Sequence, residues 1–307
     1  PTKTAQPSTI LPHTQWNPKL NPPSETYAPP LEVPARRPDQ SYASWLWGAG
    51  RTYIQFYKTG IKRVRSTAKL AKTWRTAMKE ASAKSPSTSP SGQEGSSILS
   101  PRESAITRAQ WQVILRSRKD MLRLPVFGIL LLVMGEWLPF LVIWLTPVVP
   151  ESCRIPAQVE REQTKKETRR RERERRLALD AHRLLARDRK VGTGQAAQAI
   201  PSPQAVQLDD VKRLDLLSLL TLSTKLDTHS KFWDFLFITP PKGVLRWGLQ
   251  RQLSYLHKDD ALIQRDGGWQ GLGKEEVQRA CVERGFDVLG KSEGDMRKAL
   301  AGWYARK

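Results

Sequence analysis

The chain has 307 residues, with 51 Lys and Arg against 30 Asp and Glu, a formal net charge of +21. An excess of that size requires an anionic partner, either nucleic acid or an anionic bilayer surface. Two cysteines, Cys153 and Cys281, and four scattered histidines exclude a disulfide scaffold and give no metal-ligand pattern; the residues do not look like those of a hydrolytic enzyme, and neither a catalytic residue nor a cofactor is expected.

Residues 1–40 hold ten of the 22 prolines and read as a disordered, proline-rich leader, extended at Pro22–Pro23 and Pro29–Pro30. No acid precedes Glu25, as in a transit peptide, yet no arginine precedes Arg36. The expectation is a targeting segment upstream of Pro1, or a chain that is a piece of a longer protein.

Residues 41–82 are predicted as a basic helix. Between Asp39 and Glu80 there is no acid and there are nine cations. Tyr57, Ile61, Val64, Ala68 and Ala71 advance by 4, 3, 4 and 3, one helical face. Two readings stay open: an amphipathic helix lying on anionic lipid through Lys58, Lys62, Arg65, Lys69 and Lys72, or a helix packed on the protein with a solvated basic back. A flexible linker, 83–103, carries Ser-Pro-Ser repeats.

A pre-membrane helix, 104–123, leads into Leu124–Pro150, 27 residues with a single charge, Glu136. About 20 apolar residues suffice to cross the hydrocarbon core, so one membrane span is expected. Cations flank it on both sides and leave its orientation open. Glu136, between Gly135 and Pro139, is the candidate ion-pathway residue, because an intramembrane acid usually marks a function. Its bland alternative is a protonated acid bonded to a freed carbonyl or turned into a helix contact. A single acid makes a weak pathway unless the protein is a homo-oligomer.

The segment 151–307 reads as helical throughout. Glu160–Lys190 carries 13 basic and 7 acidic residues, and its run Arg169, Arg170, Arg171, Arg173, Arg175 and Arg176 is the candidate RNA or lipid contact, since guanidinium groups fork onto phosphate. Pairs such as Glu167 with Arg171 also support a self-paired, solvated helix. Further on, Leu245, Leu249, Leu253 and Leu256 mark another helix, with Asp259–Asp260 read as the cap of the next. Leu272–Trp303 resembles a two-helix nucleic-acid module of the SAP type, with Gly285 and Gly290 in its turn and Cys281 as core; a DNA contact through it is the weakest reading. No alternating strand pattern occurs, so the soluble part is predicted to be all-α.

Four blocks together resemble the mitochondrial LETM (leucine-zipper/EF-hand transmembrane) family, its span and ribosome-binding domain. They are Ile106-Thr107-Arg108 with Arg118 to Pro125; Glu136-Trp137-Leu138-Pro139 with Pro147 to Ser152; Leu253 to Leu256 with Asp259-Asp260 and Ile263; and Ala280-Cys281, Arg284-Gly285, Leu289-Gly290, Arg297, Leu300 and Trp303. The resemblance implies a single-pass protein of the mitochondrial inner membrane with its C-terminal domain in the matrix. There it would bind the mitochondrial ribosome, contact anionic inner-membrane lipids, and support membrane protein insertion or membrane organisation. The alternative it implies is potassium/proton exchange through Glu136. Residues 1–307 hold no calcium loop and no coiled-coil tail, so the expectation is a short member of the family and no metal. The expected architecture is a disordered leader, a single transmembrane helix, and an all-α ribosome-binding-type domain.

Overall fold

A computed structural model describes residues 17–84, 99, 104–134, 149–190, 201–236 and 238–305. Among these the fold is all-α, with eight α-helices and no strand. In chain order they are α1 (Tyr42–Lys84), α2 (Arg108–Met134), α3 (Pro156–Lys190), α4 (Leu216–Lys225), α5 (Lys231–Phe235), α6 (Lys242–Asp266), α7 (Lys274–Glu283) and α8 (Glu293–Ala305).

α1 runs antiparallel to α2. Near one end the Arg75 guanidinium donates to the Ile114 carbonyl at 3.0 Å; 18 residues back along α1, the Tyr57 ring lies 5.9 Å from that of Phe127. The face foreseen from periodicity is the one that packs: Tyr57, Val64 and Ala71 are buried against this partner, and Phe127, Val149 and Cys153 share the cluster. Gly60 makes the approach possible, since a Cβ there would lie 2.7 Å from Cys153 Sγ and 3.0 Å from the Ser152 carbonyl. Of the two readings of α1, packing on the protein is the one observed for its apolar face.

The pre-membrane helix and the start of the apolar segment form one helix. α2 begins with a capping box, Thr107 Oγ1 accepting from Gln110 N–H and Gln110 Oε1 from Thr107 N–H, and runs through Pro125 to Met134. Its far end exposes Leu122, Val126, Ile129 and Val133, spaced 4, 3 and 4. The rest of the predicted span, 135–148, lies outside the described residues, and with it Glu136. No helix among the described residues is long and apolar enough to cross a membrane.

The C-terminal body packs α4, α6, α7 and α8 around two joined apolar clusters. Leu219, Leu222, Leu245, Leu249, Leu253 and Leu256 fill one, with Trp303; Ile263, Leu272, Val277, Cys281 and Leu300 fill the other. Gly285 (φ 78°) and Gly290 (φ 67°) supply the left-handed turns between α7 and α8.

Two expectations need correcting. Within the leader, of which residues 1–16 lie outside the described residues, 17–28 pack on the body: Leu20 and Asn21 are buried, Asn21 Nδ2 donates to the Gly271 carbonyl at 2.9 Å, and the Gly273 amide donates to Asn21 Oδ1 at 2.7 Å. Proline-rich backbone cannot make a core of its own, but it can lie in a groove that another core provides. Asp259 and Asp260 do not cap a helix; they sit inside α6, fully buried.

Candidate functional site

The buried acids of α6 belong to a charge centre where α2, α6, α7 and the leader meet. Arg108 Nε lies 2.9 Å from Asp259 Oδ1, and its Nη1 3.0 Å from Glu276 Oε2. Arg116 Nη2 reaches Glu276 Oε1 at 2.6 Å. Arg284 Nη2 lies 2.9 Å from Asp259 Oδ2 and 2.5 Å from Asp260 Oδ1. Three guanidinium groups thus meet three carboxylates, and Arg108, Arg284 and Asp259 have no exposed surface.

Neutral groups extend the set. The leader's Leu20 carbonyl accepts from Arg108 Nη1 at 2.9 Å, and the Tyr27 hydroxyl donates to Glu276 Oε1 at 2.7 Å. From α8, Trp303 Nε1 and the Tyr304 hydroxyl donate to Asp260. Gln112 donates to Asp259 and to the Tyr255 hydroxyl, and that hydroxyl donates to Glu283. Burial alone would raise the Asp259 and Glu276 carboxyls; Arg108 with Arg284, and Arg116 with Arg108, outweigh it and hold both below the usual carboxylate range. Glu283 has less cationic support, so burial and the neighbouring Asp259 push it up. Removing one partner from a buried pair of this kind costs about 3–5 kcal/mol, because the survivor keeps an uncompensated charge. The charges of the centre are spent on one another. The centre is a joint that sets how α2 enters the C-terminal body.

A second cluster docks α3. Arg173 forks onto Asp234, with Nε 3.0 Å from Oδ1 and Nη2 2.5 Å from Oδ2, while Nη1 donates to Asp227 Oδ1 at 2.7 Å. His229 stands beside it, with Ser223 Oγ 2.6 Å from Nδ1. Burial and Arg173 lower His229 to about 4, so its ring is neutral near pH 7.

The arginine run expected to meet RNA or lipid is therefore largely engaged within the chain. Arg173 is only 5 % exposed and closed to outside phosphates. Arg170 donates to the Gly285 carbonyl, Arg171 pairs with Glu167 and Asp287, Arg176 pairs with Glu172, and Arg169 lies 3.7 Å from Asp227. Arg175 is exposed. Arg297, part of the fourth block of the resemblance, is turned onto the Gln270 and Leu272 carbonyls and Glu293. By contrast Lys58, Lys62, Arg65, Lys69 and Lys72 of α1 are all exposed. Among the described residues no group of His, Cys, Asp and Glu could hold a metal ion. Both cysteines are buried, and burial raises Cys153 to about 12 and Cys281 to about 11, which makes them packing residues.

The centre itself was not foreseen from sequence. Its signal was present: Asp260 falls on the stripe 245, 249, 253, 256, 260 and 263, whose other members are apolar and buried. A carboxylate on a buried stripe demands a cationic partner.

These features define a class: an all-helical body into which a helix leading toward an apolar segment is locked by buried ion pairs. The family model described as LETM1-like, RBD, matches residues 106–305, and the chain belongs to that LETM family. Neither a curated protein nor a solved structure matches it.

Proposed function

We propose that the protein is a single-span component of the mitochondrial inner membrane whose C-terminal domain faces the matrix and docks on the mitochondrial ribosome, supporting membrane protein insertion or membrane organisation. The observation that carries this reading is the LETM1-like RBD match from α2 to α8, on a chain whose cations exceed its acids by 21. Such an excess favours a polyanionic partner.

The membrane part draws support from the end of α2. Leu122, Val126, Ile129, Leu132 and Val133 are exposed there, and the apolar run continues to Pro150. At the same end of the α1–α2 pair, Tyr42, Leu46 and Trp47 are exposed, side chains suited to a bilayer interface. The charge centre then makes α2 a rigid strut, so the domain is held at a fixed attitude to the membrane.

The test combines protease protection in mitoplasts with ribosome cosedimentation across a salt series. The expected result is a C-terminal domain protected until the inner membrane is breached, and binding that weakens steeply with salt. A domain digested in intact mitoplasts refutes the orientation. Absence of cosedimentation at low salt refutes the partner.

A further inference from the structure

α1 carries a feature that neither the matched segment nor the docking of α3 accounts for. Arg51, Gln55, Lys58, Lys62, Arg65, Lys69, Lys72, Thr76 and Lys79 follow one another at steps of 4 and 3, and all nine are exposed. That is one straight ridge of seven cations, two neutral polar residues and no acid. At 1.5 Å per residue it is about 42 Å long, its successive members about 5–6 Å apart.

The ridge cations stand apart from the rest of the basic surface. On α3, five of the six arginines of the run 169–176 are paired with Glu167 and Glu172 or with acids of the C-terminal body, Arg175 being the exception. α1 has no acid before Glu80. Its inward cations are taken, Arg63 by the Tyr27 carbonyl and Arg75 by the Ile114 carbonyl. The seven on the ridge make no hydrogen bond or ion pair within the described residues. All of this lies outside the residues matched by the family model, 106–305.

We infer that the α1 ridge is a binding surface for the phosphate backbone of double-helical RNA. The charge complements a polyanion, and from Arg51 to Lys79 no apolar residue lies on the ridge line; exposed Tyr42, Leu46 and Trp47 all precede it, at the end nearest the apolar segment, while Tyr57 and Val64 on the opposite face are consumed by packing with Phe127 of α2. A helix bound flat on a bilayer needs that apolar face for the acyl region, and a protein interface needs an apolar centre. Phosphate contacts need neither. Orientation argues the same way. α1 lies along α2, the helix that leads to the apolar segment, so a membrane at the end of α2 meets one end of the ridge. The far cations then stand several Debye lengths away, each about 8–10 Å. An RNA helix laid alongside meets the whole ridge. The choice of RNA over DNA rests on the ribosome reading above.

The full chain is placed in nanodiscs of zwitterionic lipid, and a labelled RNA duplex of about 20 base pairs is bound to it across a salt series, read by anisotropy. The comparison is a variant carrying Lys58→Gln, Lys62→Gln, Arg65→Gln, Lys69→Gln and Lys72→Gln, its helicity checked by circular dichroism. The expected result is an affinity at least about tenfold weaker and a slope of log K against log salt shallower by about two or more, each lost phosphate contact removing about one. A smaller change in slope overturns the inference. So does loss of binding to anionic vesicles with duplex affinity unchanged, which gives the ridge to lipid. Ribosome cosedimentation of both proteins keeps the two readings apart. If wild-type chain and variant cosediment alike and the duplex is indifferent, the ridge falls and the ribosome reading stands. If neither cosediments but duplex binding follows the ridge, the ridge stands alone.

Discussion

Asp120 is a carboxylate placed where charge is costly. It is nearly buried on α2, and Oδ1 accepts the Glu151 amide at 2.9 Å. Burial raises it to about 6, although Arg123, Arg154, Arg279 and Arg116 all pull the other way. A carboxyl raised in the fold stabilises below its unfolded value near 4, and that contribution is lost as pH rises through about 6. Asp120→Asn keeps the acceptor and removes the charge. The variant is expected to be more stable than wild type at pH 7.5, by about 1–3 kcal/mol, and the difference should shrink as pH falls through about 6 and vanish only below the unfolded value near 4. Urea titrations at a series of pH values check this, and subtracting the two proteins removes the opposite trend of His229, whose lowered value loses stability as pH falls toward 4.

At the scale of an element, α3 separates charge that holds the fold from charge that faces outward. Arg173→Ala leaves Asp234 and Asp227 without their guanidinium and is expected to cost about 3 kcal/mol or more. Arg175→Ala, two residues away and exposed, is expected to stay within about 0.5 kcal/mol. Thermal melts of the pair decide it, and equal losses would mean that Arg173 is not the clamp. The contrast also shows what sequence could reveal. Helical period placed α1's packing face on Tyr57, Val64 and Ala71, and glycines placed the α7–α8 turn, because both are local signals. The direction of an arginine is not local: Arg173 and Arg175 look alike in RRRERERR, and only the distant Asp227 and Asp234 distinguish them. Asp259 and Asp260 failed for a related reason. Adjacent acids after a leucine stripe fit a cap locally, whereas their partners Arg108 and Arg284 come from α2 and from the end of α7.

Across the whole molecule, the order of the leader follows from chemistry at its far side. Residues rich in proline were expected to be loose, yet Leu20 lends its carbonyl to Arg108 and Tyr27 its hydroxyl to Glu276, groups that α2 and α7 leave incompletely satisfied. The stretch recognisable by likeness, 106–305, therefore stops short of what folds together. A polypeptide trimmed to those bounds loses the packing of α1 on α2 and, in addition, forfeits the leader's two hydrogen bonds to buried ions, about 1.5–3 kcal/mol each, and uncovers the pocket that Leu20 fills. Its urea midpoint is expected to fall clearly below that of the intact chain, and supplying residues 17–28 as a separate peptide should restore part of the loss. Protease nicks or splice choices upstream of the domain would then act on it as stability switches, although they leave every residue that defines its membership untouched.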